Sequence, residues 1–449
     1  MPKGCLELIC KIKKSLLSID YNLIISLMLI QLAPTLYMTL RIFFLGQLPD
    51  AYSFSIAGQF TWINLLYEVI NESIILPLYY FIGKASNDKM KLNNCFKSGF
   101  LITVGIYVLL ALMIMAFIKP MLVIMSVNND ILVESATYIR IESVAVIFSV
   151  LSNFVLVVLI TLNKVNYLYI LTGVRLVLST GIDTFLVSSL PCSLELGVNG
   201  IAITNIIVNG TILFISLGLL KKENIFIFTK QKLSFEWMKE LLKIGGISGI
   251  ESFVRNFAYI IMISRMVNVV NEQGTYWVAN NFIWGWLLLP ITQLGEYIKK
   301  DVATDKNAVK NKSLAYLAIT FIICFLWFLS IPLWKPFIAN ILCFDDVDKL
   351  FEIVIILVGF YVLYAFQNVF DATFYGTGKT EYMLFESVIT NVIYYGVAFV
   401  LYVANVWEPT LKGIVYLFGI GIAFDSFVSL GTYIYFLNKR KINILHPTR

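Results

Sequence analysis

The chain has 449 residues, 59% of them hydrophobic and only 14% charged, with a mean hydropathy of +0.82. That balance excludes a soluble globular domain, in which about a quarter of residues carry charge, and marks an integral membrane protein. The net charge of +6 belongs to topology and anionic lipid rather than to nucleic-acid binding.

The first twenty residues, MPKGCLELICKIKKSLLSID, are basic and then apolar, as a signal peptide would be. The run behind them is a full span without a small-residue cleavage site, so the segment is expected to be retained. Leu6, Ile9, Ile12 and Leu16 would share one face of a short helix at the membrane surface. Apolar runs then follow at 21–45, 53–83, 95–119, 131–160, 167–190, 198–220, 241–268, 275–298, 313–338, 350–376, 382–405 and 412–437. Each is long enough to cross a hydrocarbon core of ~30 Å as a helix, and none alternates as outer-membrane strands do. The expected fold is all-α, with about twelve transmembrane helices. The longest cytoplasmic polar break, Lys221–Lys239, divides six spans from six. It sets a segment 1–20, a first six-helix lobe 21–220, a linker 221–240, a second lobe 241–437 and a tail 438–449.

Orientation follows from lysine placement, because cytoplasmic loops accumulate Lys and Arg. One set of loops holds Lys3, Lys11, Lys13, Lys14, Lys84, Lys89, Lys91, Lys97, Lys164, the linker lysines including Lys230 and Lys232, Lys299, Lys300, Lys306, Lys310, Lys312, Lys379, Lys439, Arg440 and Lys441. The opposite set holds only Lys119, Lys335, Lys349 and Lys412 among several acids. Both termini are therefore expected in the cytoplasm, consistent with an even number of spans. The cysteines (Cys5, Cys10, Cys95, Cys192, Cys324 and Cys343) lack metal spacing, and a bridge between Cys192 and Cys343 stays open. The one histidine, His446, lies in the tail, which argues against catalysis or metal binding through imidazole.

The halves overlay at a shared offset of 215–216 residues: Asn64 on Asn280, Lys84 on Lys300, Asn153 on Asn368 and Lys164 on Lys379. A duplicated six-helix unit in parallel orientation is one of the layouts of secondary transporters, with the substrate path between the halves. Polar residues inside the spans carry the functional reading. In the first half these are Arg41, Asn64, Glu68, Asn71, Glu72, Asn153, Arg175, Ser179 and Asp183, the last three at four-residue spacing and so on one stripe. In the second they are Glu251, Arg255, Asn256, Arg265, Asn280, Asn281, Asn368, Asp371, Asn391 and Asp425. Glu251 and Arg255 can pair at i, i+4, and Arg140 and Glu142 read as boundary residues near the outer end. These charges are either structural ion pairs or the lining of water-filled cavities. Ionisable groups in a membrane mark pathways by default, and buried pairs add little net stability. Most aromatics belong to lipid-facing surfaces or interfacial belts; Trp62, Tyr67, Trp284 and Trp286 are candidates for stacking on a flat organic cation.

Several stretches resemble the MATE (multidrug and toxic compound extrusion) transporters of the MOP superfamily. TLYMTLRIFFLGQL is similar to their first helix, NESIILPLYYFIGK to the end of the second and ATYIRI to the entry of the fourth. Asp183 with LELGVNGIAITN resembles their helix-five acid and turn into helix six, and FYGTGKT the element ending helix ten. The resemblance covers nearly the whole chain and implies a two-lobe, alternating-access antiporter exporting organic cations or amphipathic drugs against Na+ or H+, with no other cofactor. Carried over, the N-terminal ion site falls on Asp183 and Thr204, with Ser179 in place of an Asn. Arg41 stands where the family has an acid in helix one, and Arg255 near the acid of helix seven, with Glu251 one turn earlier. If Arg41 pairs with Asp183, coupling moves to acids such as Glu72, Glu251 or Asp371. The expected cavity is lined by Arg41, Arg255, Asn64, Glu68, Arg175, Asn280, Asn153 and Asn368. The alternative is a flippase or exporter of an anionic lipid-linked or phosphate-bearing substrate, whose cavity arginines would bind the anion. A membrane enzyme or channel is a third class, for which no nucleophile–base pair, metal constellation or filter-like repeat appears. The expected partners are a small-molecule substrate and membrane lipid. The expected state is a monomer in the plasma membrane of a bacterial or archaeal cell.

Overall fold

A computed structural model describes residues 11–50, 52–85, 88–162, 164–225, 233–305 and 307–442. Lys3, Cys5, Leu6, Ile9, Cys10, Lys230, Lys232, Lys306 and His446 lie outside them, as does the side chain of Lys84. Every regular element among the described residues is helical. In chain order the helices are α1 (Tyr21–Gly46), α2 (Ser53–Ala85), α3 (Lys89–Ile124), α4 (Asn129–Thr161), α5 (Val165–Leu186) and α6 (Gly197–Lys222). Next come α7 (Met238–Tyr259, continued by a π turn Ile260–Ser264 and Arg265–Val269) and α8 (Gln273–Phe282, a π turn Ile283–Leu287, then Leu289–Thr304). The series closes with α9 (Ala308–Asn340), α10 (Val347–Gly376), α11 (Glu381–Val388, a π turn Ile389–Tyr395, then Gly396–Val403) and α12 (Leu411–Lys439). Each of the twelve expected spans falls on one of these helices, the fifth and eleventh overrunning its end by a few residues.

Among the described residues, nine helices (α1, α3 to α6 and α9 to α12) are long and apolar enough to cross a membrane. Of the other three, α2 carries Glu68 and Glu72, α7 carries Glu251, Arg255 and Arg265, and α8 is broken at Leu288. Side-chain caps begin several helices. The Asp88 carboxylate accepts the Met90 and Lys91 amides at 3.0 and 3.2 Å before α3, and Thr410 takes the Gly413 amide before α12, satisfying donors that have no intrahelical partner.

The chain forms two compact units, Tyr37–Trp277 and Met1–Leu36 with Val278–Arg449. In the first, α4 is the hub and packs on α6, α3 and α2. Phe154 sits between the rings of Phe96 and Phe100, and Tyr67 stacks on Tyr107. The α2–α7 seam closes because glycines face it: a Cβ on Gly245 would overlap the Ser73 carbonyl oxygen, and one on Gly249 the Ser73 hydroxyl. In the second unit α10 is the hub, packed on α12, α9 and the second half of α8. Its Phe370 and Phe374 join Tyr433 and Phe436 of α12 in one aromatic cluster. Cys192 and Cys343 are free thiols, so the bridge that the sequence left open does not form.

Candidate functional site

Two polar clusters lie among the apolar helices, one in each unit. In the first unit, Arg41 on α1 is 6% exposed and Asp183 on α5 is 1% exposed. Arg41 Nε donates to Asp183 Oδ2 at 2.7 Å, and Nη2 donates to Asn205 Oδ1 of α6 at 2.7 Å. The guanidinium carbon stands 4.2 Å from the centre of the Tyr37 ring, one turn back on α1. Asn205 then donates through Nδ2 to Glu142 Oε1 of α4 at 2.7 Å. Arginine suits this place because its planar fork can serve two acceptors at once while its face rests on an aromatic ring. Ser179 is buried one turn before Asp183, and the Thr204 hydroxyl is buried with no hydrogen-bond partner.

A second charged group in this unit links α2 and α7. Arg255 Nη2 donates to Glu72 at 3.0 Å and Nε to Glu251 at 3.2 Å, so the expected i, i+4 pair forms and recruits an acid from α2. Asn256, beside Arg255, donates to the Leu65 carbonyl at 3.2 Å. Arg41 and Arg255 are therefore both matched to carboxylates of this chain.

In the second unit, three carboxylates gather from α10, α11 and α12. Gln367 Nε2 donates to Asp425 at 2.6 Å and to Asp371 at 3.3 Å, and Ser429 donates to Asp371 at 3.0 Å. Thr390 donates to Asp425 at 2.6 Å; it sits in the π turn of α11, whose extra residue per turn redirects side chains relative to an α-helix. The Thr432 hydroxyl bonds Glu386, which is 3% exposed. Ser426 locks the Gln367 amide by donating to its Oε1 at 2.8 Å. Among the described residues no lysine or arginine pairs with these three acids. The donors are all neutral amides and hydroxyls.

The other expected site residues fall outside the two clusters. Asn64 and Asn153 are exposed on their helices, and Glu68 is partly buried one turn before Glu72. Arg175 is partly buried on α5, with its Nη2 buried and without a hydrogen-bond partner. Asn368 ties α10 to α8 by donating to the Ile291 carbonyl at 2.8 Å, and its amide fills the space over Gly295. Asn280 is partly buried on α8. The aromatic candidates are occupied within the fold: Trp62 bonds Gln59, Trp284 bonds Tyr361 at 3.1 Å, and Trp286 packs on Phe337. Glu142 corrects the boundary reading, because it is buried in the Arg41 network. Sequence reasoning passed over Asn205, Gln367 and Glu386 as well. The available signals were Asn205 directly after Thr204 and Glu386 as the lone acid in YMLFESVITNVIYY.

No family model matches the chain, and none of the curated proteins does. Among solved structures, an inward-facing multidrug resistance transporter of the MATE family superposes with a TM-score of 0.73 at 18% identity, over 95% of this chain and 99% of that one. The chain has the MATE fold. An outward-facing MATE transporter matches at a TM-score of 0.67 and 18% identity over 96% of this chain and 97% of that one. A MOP superfamily transporter from Pyrococcus furiosus, described as having a binding pocket of reverse polarity, matches at 0.68 and 18% identity over 96% and 98%. The MATE layout agrees with the all-helical, multi-pass membrane architecture seen here.

Proposed function

We propose that this protein is a MATE-type secondary transporter that exports organic cations or amphipathic drugs in exchange for protons by alternating access. The observation that carries this reading is the contrast between the two acid clusters. Asp183 is already balanced by Arg41, so a cation arriving there would have to displace a bound guanidinium. Asp371, Glu386 and Asp425 have only neutral donors. Like charges held together in a poorly solvated place repel, and each proton taken up relieves that repulsion. Export from a plasma-membrane protein with both termini in the cytoplasm rests on the lysine asymmetry between loops, and one chain suffices to build both clusters.

The experiment is transport of a fluorescent organic cation into liposomes holding the purified chain, first under an imposed pH gradient and then under an imposed sodium gradient. A parallel assay follows flipping of an anionic phospholipid. Movement driven by the pH gradient and weakened in Asp371→Asn supports the reading. Movement driven by sodium alone would overturn the choice of ion. Lipid flipping without cation movement would overturn the substrate class.

A further inference from the structure

Arg175 belongs to neither polar cluster. Its Nη2 is buried without a hydrogen-bond partner, and among the described residues no carboxylate lies close enough to act on its charge. The nearby acids are already engaged: Asp183 by Arg41, Glu72 and Glu251 by Arg255, and Glu142 by the Asn205 amide. What surrounds Arg175 is neutral. Thr172 and Ser179 stand at i−3 and i+4 on its own helix, on its face. Asp183, Asn205 and Glu142 are joined through one hydrogen-bond chain with Arg41, so depth in α4, α5 and α6 is measured from them, toward the end where Lys164 pairs with Glu223. On that scale Asn209 of α6 lies about 6 Å in, Arg175 about 12 Å and Asn153 of α4 about 16 Å. Asn153 returns to the Glu142 face of α4, because eleven residues are close to three whole turns. Between these levels α4 meets α6, with the Phe148 ring 4.0 Å from where a Cβ on Gly210 would stand. Thr184 donates to the Thr180 carbonyl at 2.7 Å, but among the described residues the side chains of Thr172, Ser179, Asn209 and Asn153 make no hydrogen bond.

We propose that Arg175 binds the anionic group, a carboxylate or a phosphate, of a free amphipathic ligand, with the hydroxyls of Thr172 and Ser179 and the amides of Asn209 and Asn153 as further donors. A guanidinium inside a span needs a counter-charge, and the chain supplies none. The planar fork takes two oxygens of one such group, and the hydroxyls and amides bond an anion without neutralising it. The body of the ligand is apolar, because Leu171 and Leu178 border Arg175 on α5. Its source follows from depth. Arg175 lies ten residues past the start of α5 at Val165, about 15 Å along the helix and so near the middle of a hydrocarbon core of ~30 Å. A bilayer lipid keeps its headgroup at the surface, whereas a free amphiphile enters whole. This ligand class is distinct from the organic cations above, and the site stands without the transporter reading.

The test is displacement of a fluorescent probe, dansyl-labelled undecanoic acid, from the purified full-length chain in neutral maltoside micelles. The parent chain should bind the probe saturably. Decanoate and decyl phosphate should displace it, and decyltrimethylammonium should not. Arg175→Gln should weaken binding at least about tenfold, and Arg175→Lys by less, since a point charge replaces the fork. Lys335→Gln, which removes a surface charge, should leave it unchanged. Because Arg175→Gln takes an unpaired charge out of an apolar interior, it should also raise the melting temperature of the ligand-free chain, the opposite of losing a structural contact. Decanoate should raise that temperature in the parent and not in Arg175→Gln. Arg175→Lys keeps the test open if Arg175→Gln does not fold. Absence of saturable binding, the parent's affinity in both Arg175 variants, or displacement by decyltrimethylammonium as readily as by decanoate would overturn the proposal. Displacement by phosphatidylglycerol with decanoate inert would give the site to a lipid headgroup and overturn the free ligand.

Discussion

Replacing Arg41 with Ala removes the Nε bond to Asp183 and the Nη2 bond to Asn205, both 2.7 Å long, and strands an acid that is 1% exposed. Breaking a buried pair from one side costs roughly 3–5 kcal/mol, most of it the uncompensated charge left behind. Neutral hydrogen bonds between helices in membranes are worth only about 0.6 kcal/mol on average, so the charge, not the bond count, sets the scale. Asp183→Asn should cost a similar amount by stranding the guanidinium. The double variant Arg41→Ala with Asp183→Asn leaves no unpaired charge, and it should be more stable than either single variant. Arg41→Lys keeps the charge but cannot reach Asp183 and Asn205 as a fork, so it should fall between the parent and Arg41→Ala. Unfolding by sodium dodecyl sulfate titration in mixed micelles, followed by circular dichroism, supplies the double-mutant cycle. A loss below about 1 kcal/mol for Arg41→Ala, or additive single losses, would refute the argument that Arg41 neutralises Asp183.

Gly245→Ala should destabilise the α2–α7 seam by about 1–3 kcal/mol, more than Gly249→Ala, because the first meets the Ser73 carbonyl oxygen and the second a hydroxyl that can rotate. Equal losses in the same titration would count against this packing. Gln367→Leu removes the donor shared by Asp371 and Asp425 and should cost about 1–3 kcal/mol; unchanged stability would mean that the amide does not bridge them. At the surface, the Lys164–Glu223 pair at 2.8 Å holds the Glu223 carboxyl below its ordinary range and the Lys164 ammonium above its own, chiefly through their shared hydrogen bond. The Glu223 contribution is present above its unfolded value and lost as pH falls through the depressed folded one. The Lys164 contribution is present below its unfolded value and lost as pH rises through the raised folded one. Glu223→Gln should therefore flatten the acidic limb of stability against pH, and an unchanged limb would contradict the pairing.

The fold was largely legible because each span is a continuous apolar run, a signal carried by twenty neighbouring residues that needs no tertiary information. The Arg41–Asp183 and Glu251–Arg255 pairs were also within reach, the first through alignment to the MATE pattern and the second through i, i+4 spacing. Glu142 was misread because distance from a span's end was used as a proxy for exposure, whereas α4 is the buried hub of its unit. Glu386 and Gln367 were invisible for a different reason. Their meaning depends on α10, α11 and α12 meeting, and the π turn that aims Thr390 at Asp425 has no sequence periodicity of its own. Asn64 and Asn153 took their weight from the repeat offset, which reports duplication of a helix and not the direction of a side chain.

The most direct measurement is proton movement itself. Proteoliposomes loaded with a pH-sensitive dye and holding a preset pH gradient would receive an organic cation, and the decay of the gradient would be followed. The account predicts that the cation accelerates the decay in the parent chain and fails to do so in a chain carrying Asp371→Asn, Glu386→Gln and Asp425→Asn together. Equal acceleration in that variant would contradict the placement of coupling on α10, α11 and α12, and no acceleration in the parent chain would contradict proton exchange altogether.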